Sequence, residues 1–404
     1  MPAYTDKSTG FLRGHKMPVT CVAAPGMGDA SEQPHDKDFS AAAAANAFSL
    51  DRHIYTGGKD CCILRWDLQE EKKSVFRGRR NDFNCGGHFR PVLGLCVAPD
   101  ESFFCSGGAD QLLRIWDYRS STTKCVAALR GHSGAICCVK LNNWPSAVAG
   151  GEPGPVCTQT QSYSSAGDVE VLTCGADKSI KLWNLTVRAC LNSYYGHTAP
   201  INFMDVMLPN KPLTAGDDCT VRSWKLVQDT HLVFSPQLTP VDACCYLTPS
   251  LFACGTQGGV ISLCSVLQKK PIAAVQQLPP LSKMRGAHAD SSSSRRGITA
   301  MAALRRSEVL FAGSEGGAVQ AWRAKRRKKT KERKESGGNL AGGSTAASLE
   351  LVSEVRVAGV VTSLCLTPSE HTLAAAVAKE NRLGRWTVDK EARNGIALFG
   401  LVRR

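Results

Sequence analysis

A histidine, a hydroxyl and an aspartate that share a site can turn the hydroxyl into a nucleophile. This 404-residue chain spells that trio four times: His15, Thr56 and Asp60; His88, Ser106 and Asp110; His132, Thr173 and Asp177; His197, Thr214 and Asp218. Each hydroxyl precedes its Asp by four residues, and each Asp precedes a tryptophan by six: Trp66, Trp116, Trp183 and Trp224. A Gly-His pair opens every set. Catalysis needs one such site, so four copies at repeated spacing point to a structural network instead. In that network the Asp accepts from the imidazole, the imidazole from the hydroxyl side, and the indole N–H ends the chain. The sequence has no Gly-x-Ser-x-Gly elbow, Walker loop or His-Glu-x-x-His. The expectation is a protein that is not an enzyme and takes no cofactor.

The other reactive residues read the same way. Eighteen cysteines are spread singly or as doublets (Cys61-Cys62, Cys137-Cys138, Cys244-Cys245), and none is spaced Cys-x-x-Cys. Adjacent strand residues point to opposite faces, so a doublet does not clasp one ion. No metal is expected, and the thiols read as reduced, mostly buried small hydrophobes of an intracellular protein.

The spacing itself is a repeat. Six short segments carry Trp (Trp66, Trp116, Trp183, Trp224, Trp322 and Trp386), and a seventh, VISLCSV, has Cys264 in that place. The shortest steps are 41 and 40 residues, the length of a four-stranded WD40 blade. The expected fold is all-β, a single seven-bladed WD40 β-propeller over residues 1–404. Blades five to seven are degenerate, with Gly258, Gly316 and Glu380 at the Asp position and Cys254, Ala312 and Ala376 at the hydroxyl position. Either STGFLRG near the N-terminus or GIALFGLVRR at the C-terminus could supply the last outer strand.

The Gly-His to Trp distance is 28 and 27 residues in blades two and four but 51 in blades one and three. The surplus marks insertions of disordered-loop composition at about 25–52 and 143–170. Two more are expected at 278–297, between blades five and six, and at 324–350, inside blade six.

Lys and Arg number 49 against 35 Asp and Glu, a net charge of +14, which favours an acidic partner such as nucleic acid. Half the surplus lies in Arg323 to Glu335, where Lys325, Arg326, Arg327, Lys328, Lys329, Lys331, Arg333 and Lys334 read as a nuclear address or an RNA-affinity run. No apolar run is long enough to cross a bilayer, and the first residues lack a signal peptide's apolar stretch.

One stretch is more specific than the repeat. Glu380-Asn381-Arg382-Leu383-Gly384-Arg385-Trp386, followed by Lys390-Glu391-Ala392-Arg393-Asn394, resembles the ending of the WD-repeat protein family of the U3 small nucleolar ribonucleoprotein. Arg13-Gly14-His15 with Val19-Thr20-Cys21, Leu232-Val233-Phe234, and Gly216 to Trp224 agree with it. The resemblance implies a non-catalytic scaffold of nucleus and nucleolus that binds U3 snoRNA near its box B/C motif. It implies a kink-turn-binding subunit and other small-subunit processome proteins as partners, in support of pre-rRNA processing to 18S rRNA. The protein would be a monomer within that complex and would touch no membrane. Members carry a charged N-terminal extension, whereas blade one opens here at once. The extension is either absent or lost to a misplaced start, and the basic run at Lys325 to Lys334 is expected to take its role.

In a propeller, inter-blade loops and the turns before the Trp strands share one face. That places Arg79, Arg80, Arg295, Arg296, Lys379 and Arg382 as RNA-binding candidates on an arc over blades five, six, seven, one and two. The alternative is a generic WD40 adaptor, a peptide-binding scaffold in another nuclear complex or a ubiquitin ligase.

Overall fold

The computed structural model describes residues 8–25, 51–77, 86–117, 125–143, 168–236, 238–276, 297–326, 347–382, 384, 388–389 and 392–401. They form seven four-stranded antiparallel sheets and no α-helix. Each sheet is one blade of a β-propeller, with strands named a to d from the axis outward.

Blade one contains Val19–Ala23, His53–Gly58, Cys62–Asp67 and Lys72–Arg77. Blade two contains Val92–Val97, Phe103–Gly108, Leu113–Asp117 and Ala127–Leu129. Blade three has Ile136–Asn143, Glu170–Gly175, Ser179–Asn184 and Ala189–Tyr195. Blade four has Ile201–Val206, Pro212–Gly216, Val221–Lys225 and Thr230–Phe234. Blade five follows with Val241–Thr248, Leu251–Thr256, Val260–Ser265 and Ala273–Gln276. Blade six has Ile298–Ala303, Val309–Ser314, Ala318–Arg326 and Ala347–Arg356. Apolar side chains on both sheet faces, such as Leu172 and Ile180 packed with Met204 and Trp224, form a core layer between neighbouring blades. Such two-sided burial explains why the b strands are nearly continuous apolar runs.

Blade seven corrects the sequence reading. Its strands are Val360–Leu366, Thr372–Ala378, Gly395–Gly400 and, outermost, Ser8–Leu12. The two terminal stretches both pair there: Leu12 faces Ile396, and Ala376 faces Ile396 from the other side. Strand c is therefore GIALFG, and Trp386 falls in the b–c connection, 379–394, rather than in a Trp strand. The physical reason is burial. Ile396 to Phe399 are all buried, a demand that Glu-Asn-Arg-Leu-Gly-Arg could not meet without burying several charges. Trp386 itself lies outside the described residues.

The insertions fall between strands a and b of blades one and three, between blades five and six, and between strands c and d of blade six. In blade six the hairpin continues to the pair Arg326 and Ala347. Strands thus take up the first three and last four residues of the segment expected at 324–350.

Candidate nucleic-acid interface

The four His–hydroxyl–Asp sets fold as the spacing requires. In blade two the His88 imidazole lies 2.8 Å from Asp110 through Nδ1 and 2.7 Å from Ser106 Oγ through Nε2, and Trp116 Nε1 donates to the same Oγ at 2.7 Å. His132 repeats this with Asp177 and Thr173 at 2.7 and 2.6 Å, as does His197 with Asp218 and Thr214 at 2.8 Å each. In blade one His15 lies 3.0 Å from Asp60 and 2.9 Å from Thr56. Each Asp also accepts a backbone N–H of its own turn, Thr220 in the case of Asp218, which accepts the Thr198 N–H beside its His as well. The glycine before each His is a matter of room. A Cβ on Gly14 would stand 2.6 Å from the Trp66 indole, and one on Gly131 2.9 Å from that of Trp183.

All four hydroxyls are fully buried and already accept an indole N–H. A nucleophile so enclosed meets no substrate. Burial opposes charge on Asp177, but hydrogen bonds from His132 and Ser179 win and bring its carboxyl down to about 2. Asp60 and Asp218 are lowered in the same way. Burial lowers His197 below its usual range, against the pull of Asp218. Both shifts in the fourth set favour a charged Asp218 and a neutral His197 whose Nδ1–H donates to the carboxylate.

This geometry and this repetition match known sequences. The family model described as WD domain, G-beta repeat matches residues 81–117, 123–184 and 188–225, the blades with intact sets two to four. The chain is a seven-bladed β-propeller that carries WD40 repeats in those three segments. A U3 snoRNP-associated protein-like sequence of Arabidopsis thaliana is 24% identical over 363 residues, covering 87% of this chain and 67% of that protein. Another, from Oryza sativa subsp. japonica, is 25% identical over 418 residues, covering 97% of this chain and 69% of that protein. The WD40 chain thus spans about two thirds of the length of each. Two solved structures share the fold. "Structure of U3-55K" aligns at a TM-score of 0.72 and 23% identity over 97% of this chain and 98% of that one. "Crystal structure of RRP9 WD40 repeats" aligns at 0.73 and 22% over 99% and 100%.

On the face carrying the d–a loops and b–c turns, exposed cations cluster over blades one to three. They are Arg13, Lys16, Arg77, Arg90, Arg130 and Lys178, none with a carboxylate in ion-pair reach among the described residues. Arg13 does lie over the Phe11 ring, 5.5 Å from its centroid. Blades four to six instead present Asp217, Asp242 and Glu315 on this face. Asp217 and Asp242 share the Asn202 side-chain amide at 2.6 and 3.0 Å. Burial, with Asp217 nearby, pushes Asp242 up to about 6. Among the described residues the positive arc therefore centres on blades one to three, away from blades five and six.

Of the six sequence candidates, Arg79, Arg80, Arg295 and Arg296 lie outside the described residues. Lys379 is half-buried on the expected face, and its backbone N–H donates to Asn394 Oδ1 at 3.0 Å. Arg382 does not point outward. Its guanidinium crosses the propeller axis and donates to the carbonyls of Cys137 and Asn202, in blades three and four. Lys59 holds the same segment from blade one, through Glu380 at 3.2 Å and the carbonyls of Asn381 and Gly384 at 2.9 and 3.2 Å. Reading along the chain had missed Arg13 and Arg130, although each stands directly before a Gly-His pair, a position that the fold fixes on this face.

The basic run leaves from the other side. Lys325 pairs with Glu350 at 2.6 Å, and Arg326 ends strand c of the blade-six hairpin, on the face of the a–b and c–d connections. Arg327, Lys328, Lys329, Lys331, Arg333 and Lys334 lie outside the described residues.

Proposed function

We propose that this WD40 propeller is a non-catalytic, RNA- and protein-binding scaffold of the U3 small nucleolar ribonucleoprotein. The carrying observation is similarity along nearly the whole chain to relatives named U3 snoRNP-associated, joined by the unpaired cation arc over blades one to three. Arg and Lys on that arc would neutralise phosphates of U3 snoRNA, and a guanidinium can also stack on an unpaired base. Arg79 and Arg80, between blades one and two in the sequence, would add to these contacts; Lys379 borders the arc. In this reading the protein works in the nucleolus, within the small-subunit processome and beside a kink-turn-binding subunit, and supports processing to 18S rRNA. The basic run supplies nuclear targeting.

The test is recovery of the tagged protein from nuclear extract with sequencing of bound RNA, which should enrich U3 snoRNA. Reversing Arg90, Arg130 and Lys178 to Glu should weaken binding tenfold or more while leaving the melting temperature unchanged. Recovery of protein partners without RNA would instead support a peptide-binding adaptor.

A further inference from the structure

The a strands of all seven blades surround an axial channel with a cavity of about 420 Å3. One end is closed by Arg382, on the face of the cation arc. The other end opens among the a–b turns, where Arg305 and Glu370 stand. Among the described residues the channel is therefore a pocket blocked at one end by Arg382, of a volume suited to a small molecule.

Among the described residues its charges do not balance. Lys140, Arg305 and Arg382 line it against the carboxylates of Asp205 and Glu370. Asp205 is partly committed, since one oxygen accepts the Tyr246 N–H at 2.9 Å and the other lies 4.0 Å from Lys140 Nζ. Burial works against charge on Lys140, yet Asp205 holds its ammonium above the usual range, so it is protonated at neutral pH. Arg305, an exposed side chain that lines the mouth, donates one N–H to the Val206 carbonyl at 2.9 Å and has other donors in its fork. Arg382 Nε is buried with no hydrogen-bond partner. Arg305 is exposed at the mouth and Lys140 is part-buried, so of the three only the Arg382 Nε is withdrawn from water, where it needs an acceptor. A multivalent oxyanion supplies that acceptor and the counter-charge.

We propose that the blind channel binds a small free anion of the phosphate class, held by Lys140 and Arg305 near the open mouth and facing Arg382 at the closed end. This site is separate from the RNA arc, which lies on the opposite face. A phosphate group offers several acceptor oxygens, matching an ammonium and an arginine fork that converge from blades three and six.

The probe is inorganic tripolyphosphate, titrated calorimetrically into the full chain, with sodium chloride of matched ionic strength as control. One saturable site is expected, with a rise in melting temperature. Lys140→Met with Arg305→Gln should weaken that site at least tenfold, whereas Arg305→Lys, which keeps the charge, should retain most of it. The Arg90, Arg130 and Lys178 reversal should leave it intact, and the Lys140/Arg305 double variant should bind U3 snoRNA normally. A response that follows ionic strength alone, or that survives the double variant, overturns the proposal. Loss on reversing the face cations overturns it too, by moving the anion to the RNA arc.

Discussion

At the residue scale, the same four atoms serve four blades. An Asp, an imidazole, a hydroxyl and an indole N–H saturate one another in a buried chain, and the low dielectric around them strengthens each link. The spacing of hydroxyl, Asp and Trp was legible because strand b, the b–c turn and strand c keep a fixed length, while the Gly-His pair marked the His across loops of different length. Blade six shows what spacing could not reveal. Ala312 has lost the hydroxyl, yet Trp322 Nε1 donates to Gln320 Oε1 at 3.1 Å, an acceptor from its own strand. The sets also set a pH dependence. Asp60, Asp177 and Asp218 titrate lower folded than unfolded, so the unfolded chain binds more protons as pH falls. The contribution of Asp177 is present above its unfolded value of about 4 and is lost as pH falls toward about 2; those of Asp60 and Asp218 are lost in the same direction. Asp242, raised to about 6, acts oppositely at higher pH. Melting temperature followed from pH 5 to 2 should therefore fall less steeply in Asp177→Asn than in the parent chain. Parallel curves would show that the Asp177 network carries no such linkage.

At the element scale, the lesson concerns blade seven. Trp386 follows the repeat's period, and period alone made its segment a strand. Burial decided otherwise, since Gly395–Gly400 supplies the apolar residues that an inner strand needs. From the displaced segment the Arg382 side chain crosses the axis to blades three and four, while Lys59 of blade one holds Glu380, Asn381 and Gly384. No sequence pattern announces such a crossing, because its anchors are backbone carbonyls of distant blades. Closure by Ser8–Leu12 is testable at this scale. Deleting residues 1–12 removes the outer strand and leaves the donors and acceptors of Gly395–Gly400 as an open edge. The melting temperature should drop by roughly 5 °C or more. An unchanged transition would mean that the strand contributes nothing to closure.

At the scale of the whole molecule, the net charge of +14 is divided by the fold into separate territories. One face carries free cations over blades one to three and carboxylates over blades four to six. The basic run leaves from the other face. Composition announced the excess but not its partition, which depends on which loop meets which face. If the arc holds RNA, binding should weaken as salt rises, with a log–log slope of roughly −3 to −4 for five phosphate contacts to unpaired strands. Filter binding across a salt series measures it. A flat series would remove electrostatics from the interaction.

The pairing of Leu12 with Ile396 has a consequence for biogenesis. A ribosome delivers the first partner of that seam long before the second, so the nascent chain must wait as an open horseshoe with two raw borders. A chaperone that guards those borders during translation would matter more to yield than any stabilising change inside a finished blade.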